Sequence, residues 1–195
     1  MESSDDYLRK HTVGDLRLRS GPIEIFDYNP KWPDRFEVEA SNIRSALGES
    51  ALQVEHVGST SVPGLLAKPI IDIVLVVVDT TQENRYAPAL EAAGYKLRMR
   101  EPGWHEHRMF TSLAEDVNVH VFSKGCPEVD RMLQFRDWLR TDEADRELYA
   151  QTKRALARLQ WKYTQNYADA KTVVVEEIMA RARRAPKPER TQGPD

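Results

Sequence analysis

A single cysteine, Cys126, stands in 195 residues. No internal disulfide can form, and such a chain suits a reducing compartment. Charge of one sign is not in surplus either. There are 28 Lys and Arg against 31 Asp and Glu, a formal net charge of −3 at pH 7. That balance argues against wholesale binding to nucleic acid or to a membrane surface. Long apolar runs are also missing. The longest, Ile70 to Val78, is interrupted by Asp72 and falls well short of the roughly 20 residues a transmembrane helix needs. The N-terminal MESSDDYLRKHTVGD is acidic and polar, with no apolar core behind a basic start. These absences lead us to expect a cytoplasmic protein with no membrane or nucleic-acid partner.

What is present is a globular composition, 41% hydrophobic and 30% charged. The length suits one domain with a real core, or a domain with an appended helical part. Residues 1–20 and 185–195 lack apolar periodicity and read as a loose arm and a disordered tail. Between them, PIEIFDY at 22–28 alternates like a short strand. Phe36, Ala40, Ile43 and Leu47 then fall on one helical face, with Pro33 in the first turn and Gly48 at the end.

ALQVEHV reads as a strand, GSTSVPGLLAKP as a loop or short helix, and IIDIVLVVV as a strand buried on both faces. Residues 80–93 read as a helix broken by Pro88, and 95–100 as a strand. Residues 105–122 form two strands around an Ala114–Glu115–Asp116 turn. From Pro127 onward about three helices are expected, the second capped by Thr141. The expected architecture is α+β, a single domain over 21–184 with a sheet core (21–125) and a helical part (126–184).

Asp72 is the residue that needs explaining, because a carboxylate within an aliphatic strand is costly to bury without a cation or several hydrogen bonds. A Gly58–Ser59 turn precedes it, with twelve residues between Ser59 and Asp72. Transfer of phosphoryl or nucleotidyl groups needs backbone N–H groups for phosphate oxygens and carboxylates for a divalent cation. Gly58, Ser59 and Thr60 supply a turn that allows close backbone approach, and Lys68 adds a positive charge. The alternatives are a plain turn with capping hydroxyls and a structural ion pair of Asp72 with Lys68 or Arg108.

The run His56-Val57-Gly58-Ser59, twelve residues, then Asp72-Ile73 resembles the signature of the DNA-polymerase-beta-like nucleotidyltransferase superfamily. More closely, the chain resembles the GrpB family, a branch assigned to that superfamily. The resemblance is carried by YNPKWPDRFEVE, VEHVGSTSVPGLLAKPIIDIVLVV, EPGWHEHRMF, VNVHVF, PEVDRMLQFRDWLR and YADAK, which together span roughly 23–178. It implies a nucleotidyltransferase-like mixed sheet flanked by helices. It also implies a nucleoside triphosphate substrate and a divalent metal, Mg or Mn. Fusions of such domains to dephospho-coenzyme A kinase hint at nucleotide or cofactor metabolism.

The pattern departs from that superfamily at Val74, where a second metal carboxylate should stand, and on the strand at 117–122, which offers Asn118 and His120 instead of a third. Four of the five histidines, His56, His105, His107 and His120, lie in the family-like segments. Their imidazoles suit a transition metal, a general base or a phosphate contact. Asp72, His120 and His56 are therefore the expected catalytic residues. Gly58, Ser59, Thr60, Lys68, Arg108 and Lys171 are expected at phosphate, and Asp72, His120, His107 and His105 at metal. Arg131, Arg136 and Lys153 read as solvated helix-face charges. Three functions remain open: a nucleotidyltransferase-like enzyme acting on a small molecule, an inactive nucleotide- or metabolite-binding module, and a metal-dependent hydrolase or condensing enzyme on the histidine cluster.

Overall fold

Ile71, Ile73, Leu75 and Val77 leave one side of strand β2 (Ile71–Val77), while Asp72, Val74 and Val76 leave the other, as the two-residue period of a strand demands. The computed structural model describes residues 4–16, 18 and 22–185, and β2 organises most of them. It pairs antiparallel with β1 (Gln53–Val57) and parallel with β5 (Val117–Ser123). Beyond β5 come β4 (His107–Ser112) and β3 (Tyr95–Glu101), both antiparallel to their neighbours, in the order β1-β2-β5-β4-β3.

One face of this mixed sheet carries the main core. Ile71, Ile73, Leu75, Val117, Val119, Val121 and Phe110 pack there against α2 (Trp32–Leu47) and α3 (Ala87–Ala92). Phe36, Ala40, Ile43 and Leu47 of α2 form its buried stripe, and the helix ends at Gly48, as their spacing requires. The other face is covered by the helical C-terminal part: α4 (Pro127–Thr141), α5 (Glu143–Ala157), α6 (Thr164–Asp169) and α7 (Thr172–Arg184). Val74, Val76 and Phe122 pack there against Val129 of α4. Buried Asp145 ties three of these helices together, accepting from Trp138 Nε1 at 2.7 Å and from the Arg181 guanidinium at 2.6 Å.

Several expectations change in detail. The 22–28 segment makes only an isolated bridge, Phe26 to Ala67, because it lies against a loop and not a sheet edge. Pro88 does not break a long helix but sits in the first turn of the short α3, preceded by a single turn at Glu83–Arg85. The cap of α5 is Asp142, whose side chain accepts from the Asp145 N–H at 2.8 Å. The YADAK segment and the residues after it divide into two helices, giving four in the C-terminal part.

The supposed arm contains α1 (Ser4–His11), whose Leu8 packs on Met99 and Tyr163, and Val13 N–H then bonds Arg98 O. Its apolar signal is a single leucine in an otherwise polar helix, too little to show as periodicity. Most of the expected tail, 186–195, lies outside the described residues. Among the described residues no helix is long and apolar enough to cross a membrane.

Candidate functional site

Between the second sheet face and the helical part lies a cavity of about 590 Å³. Asp72, Asn118 and His120 form its floor from neighbouring strands, since Asp72 pairs with Asn118 and Val74 with His120. Gly58, Ser59, Thr60 and Lys68 line one wall, and Lys153, Tyr167 and Lys171 enter from the helices.

Gly58 sits directly against Asp72. A Cβ at position 58 would come within 2.4 Å of Asp72 Oδ2, and the backbone there has φ +68°. Both facts call for glycine. Ser61 Oγ donates to Gly58 O at 2.6 Å and closes the turn. Ser59 shares a side-chain hydrogen bond with buried Tyr149. Asn118 Nδ2 donates to Asp72 Oδ1 at 2.9 Å, and His120 Nε2 stands 3.8 Å from the same oxygen, too far for a hydrogen bond. Burial pushes the Asp72 carboxyl up, but His120 in its protonated form, the Asn118 hydrogen bond and the Lys171 charge outweigh it and hold the carboxyl below its ordinary range.

The cavity is basic. Lys68, Arg98, Lys153 and Lys171 line it against two carboxylates, Asp72 and Glu115. Lys153 is 2% exposed and donates to the Leu66 carbonyl. Burial first, and then the Lys171 charge, push its amine well below the ordinary lysine range. Burial also lowers Lys171, against the opposing pull of Asp72 and Asp169.

Seven expected site residues meet here: Gly58, Ser59, Thr60, Lys68, Asp72, His120 and Lys171. Four do not. Arg108 leaves the opposite side of β4 and is held by Glu83 at 2.6 Å and by Glu106. His105 is not on a strand: it lies in a turn with φ +55°, its ring against Trp104. His107 stands behind His120 with both ring nitrogens engaged, by Glu101 at 2.6 Å and His120 at 3.1 Å.

His56 is a packed core histidine. Its ring stacks on Phe36, and Nε2 bonds Thr60 Oγ1 at 3.0 Å. Thr60 Oγ1 donates onward to Ile70 O, so His56 Nε2 carries the hydrogen. Burial lowers its pKa to about 4.

Sequence reasoning does not reach Lys153 or Arg98. Lys153 belongs to the buried stripe of α5 with Tyr149, Ala150 and Ala157, so its position on an apolar face is the available signal. Arg98 sits where the β3–β4 register shifts between Leu97 and Met99, and an irregular strand leaves no trace in alternation.

The donor set does not fit a two-metal centre. Val74 is fully buried among Val57, Val76 and Phe122. Among the described residues no three His, Cys, Asp or Glu converge as metal ligands. One cation carried in by ligand phosphates fits Asp72, since Mg²⁺ commonly takes one or two carboxylates and phosphate oxygens.

The sequence pattern of GrpB proteins matches residues 22–181. The chain belongs to the GrpB family. It is 57% identical over 179 residues to UPF0157 protein BH1888 of Halalkalibacterium halodurans, covering 92% of each chain. It is 45% identical over 178 residues to UPF0157 protein SCO7215 of Streptomyces coelicolor, covering 89% of this chain and 94% of that one. A dephospho-CoA kinase of Mycobacterium tuberculosis is 29% identical over 169 residues, with 42% of its length matched.

The crystal structure of GrpB from Enterococcus faecalis superposes with a TM-score of 0.72 at 32% identity, over 82% of this chain and 96% of that one. The RNA terminal uridylyl transferase Cid1 superposes with a TM-score of 0.51 at 11% identity, over 69% of this chain and 42% of that one. That likeness concerns the fold alone, and the fold is nucleotidyltransferase-like.

Proposed function

We propose that this GrpB-family chain binds a nucleoside triphosphate in the basic cavity and transfers a nucleotidyl or phosphoryl group to a small molecule in the cytoplasm. The observation that carries this reading is the contact of the Gly58 turn with Asp72 inside a cavity where four basic side chains outnumber two carboxylates. The turn and the lysines hold phosphate oxygens. A buried amine that is protonated as the phosphates bind attracts them more strongly than an exposed one, because little water screens it. A Mg²⁺ or Mn²⁺ arriving with the phosphates would be held by Asp72 and would neutralise charge on them.

A second reading is ligand binding without turnover, favoured by Val74 standing where transferases of this fold carry a carboxylate. A transition-metal enzyme built on the histidines finds no support, since His56, His105 and His107 are dispersed or engaged elsewhere.

Thermal unfolding of wild type and Asp72→Ala, against ATP, CTP, GTP and UTP with and without Mg²⁺ or Mn²⁺, tests the proposal. A nucleotide at a hundred times its Kd should stabilise wild type by about 2.7 kcal/mol, and Asp72→Ala should abolish the metal-dependent part. Pyrophosphate or nucleoside diphosphate release separates turnover from mere binding. No shift with any nucleotide under any metal would sink both nucleotide readings.

A further inference from the structure

A line of hydrogen bonds runs from the N-terminal helix to the cavity floor. The Tyr7 hydroxyl donates to Glu101 Oε1 at 2.6 Å. Glu101 Oε2 lies 2.6 Å from His107 Nδ1, and His107 Nε2 lies 3.1 Å from His120 Nδ1. His120 Nε2 then faces Asp72 in the cavity. Two aromatic neighbours fix the His107 ring: Phe122 stacks at 4.8 Å and Trp104 meets it edge-on at 5.0 Å.

With His120 neutral, the protons on this line have one consistent arrangement. Burial would raise the Glu101 carboxyl, but the bonds from His107 and Tyr7 outweigh it and keep the group ionised. A carboxylate only accepts, so the hydrogen of the first pair is on His107 Nδ1. Burial also holds His107 neutral, with a pKa of about 4. A neutral imidazole protonated at Nδ1 has its lone pair at Nε2, so His120 Nδ1 must be the donor. The remaining nitrogen of a neutral His120, Nε2, keeps its lone pair on the cavity side.

We propose that Glu101 and His107 are positioning residues that hold His120 in its Nδ1–H tautomer, making Nε2 the proton acceptor of the cavity. The step it serves rests on the transfer reading above. The hydrogen of an acceptor hydroxyl passes to His120 Nε2. The freed oxygen bonds to phosphorus, and the leaving pyrophosphate of nucleotidyl transfer, or nucleoside diphosphate of phosphoryl transfer, departs with the electron pair of the broken P–O bond. The imidazolium so formed faces the Asp72 carboxylate.

The test is two-bond ¹H–¹⁵N NMR of the histidine rings in the full chain at about pH 8, where an ordinary histidine is neutral. No nucleotide is added, and peaks are assigned with His107→Gln and His120→Gln. Wild type should show His120 and His107 each as a single Nδ1–H tautomer. Glu101→Gln, whose carboxamide can donate as well as accept, should turn the His120 signals into a mixture of tautomers. It should also lower turnover by about 10²-fold with KM little changed.

Wild-type His120 protonated at Nε2 would overturn the assignment without any variant. Unchanged His120 shifts in a folded Glu101→Gln would overturn it as well. Because the spectra are read without nucleotide, a failure to bind nucleotide leaves the tautomer result standing. A wrong tautomer removes the relay even if nucleotide binds.

Discussion

At position 58 one methyl group would take the space that the Asp72 carboxylate occupies. An added Cβ would overlap Asp72 Oδ2 at 2.4 Å and Asp72 Cβ at 2.9 Å, on a backbone at φ +68°. Gly58→Ala should therefore lose about 1–3 kcal/mol from backbone strain alone, since φ +68° with ψ −172° is a conformation essentially confined to glycine, displace the Asp72 carboxylate and abolish nucleotide-induced stabilisation. Gly94 is the control for a positive φ without the contact, since it has φ +92° but nothing within 4 Å of an added Cβ. Gly94→Ala should show a backbone cost of its own and keep the ligand response, both read by thermal unfolding with and without nucleotide. A Gly58→Ala variant with an intact response would show that the contact with Asp72 has no functional meaning.

At the scale of elements, the start of α5 separates two adjacent residues, of which sequence reading takes Thr141 as the cap and the structure Asp142. Asp142 accepts from the Asp145 N–H at 2.8 Å and satisfies one of the orphan donors of the first turn. Thr141 instead returns its hydroxyl to the carbonyls of Asp137 and Trp138 at the end of α4. Chemical denaturation should show Asp142→Ala losing about 1 kcal/mol, with Thr141→Ala within about 0.5 kcal/mol of wild type. The reverse order of effects would return the cap to Thr141. The same helix presents Lys153 to the cavity through its buried stripe, so loosening its first turn bears on the site as well as on stability.

For the whole molecule, two buried neutral histidines set the response to acid. His56 and His107 each have a pKa of about 4 in the fold, lowered chiefly by burial, against about 6.5 in an unfolded chain. Between those values the unfolded state binds more protons, so stability falls as pH drops from about 6.5 toward 4, by up to about 3 kcal/mol per histidine. Asp72, Glu101 and Asp145 have lowered values. Their contribution is present above the unfolded carboxylate range and is lost only at still lower pH. Urea unfolding at pH 7, 5.5 and 4.5 should show a steep loss that the paired variant His56→Gln/His107→Gln flattens. Stability unchanged between pH 7 and 5 would rule out buried neutral imidazoles at these positions.

The sequence alone determined the five main strands, α2, the helical C-terminal part and the family, because burial against a sheet leaves a two- or four-residue apolar period and a specific motif leaves its own letters. It also marked Gly58 and Asp72, since a carboxylate in an aliphatic run near a glycine turn stands out against its surroundings. It did not decide which cations share their cavity. In a string of letters Lys153 reads as a surface charge and Arg108 as a phosphate contact. The packing of α5 buries the first over the site, while the strand register turns the second to Glu83 on the far side. The histidines show the same division: their presence was legible, but only the pairing of β3, β4 and β5 stacks Glu101, His107 and His120 into one line. Periodicity records which side of an element is buried, whereas what a polar side chain meets depends on register, bulges and the neighbouring helix, which are properties of the assembled fold.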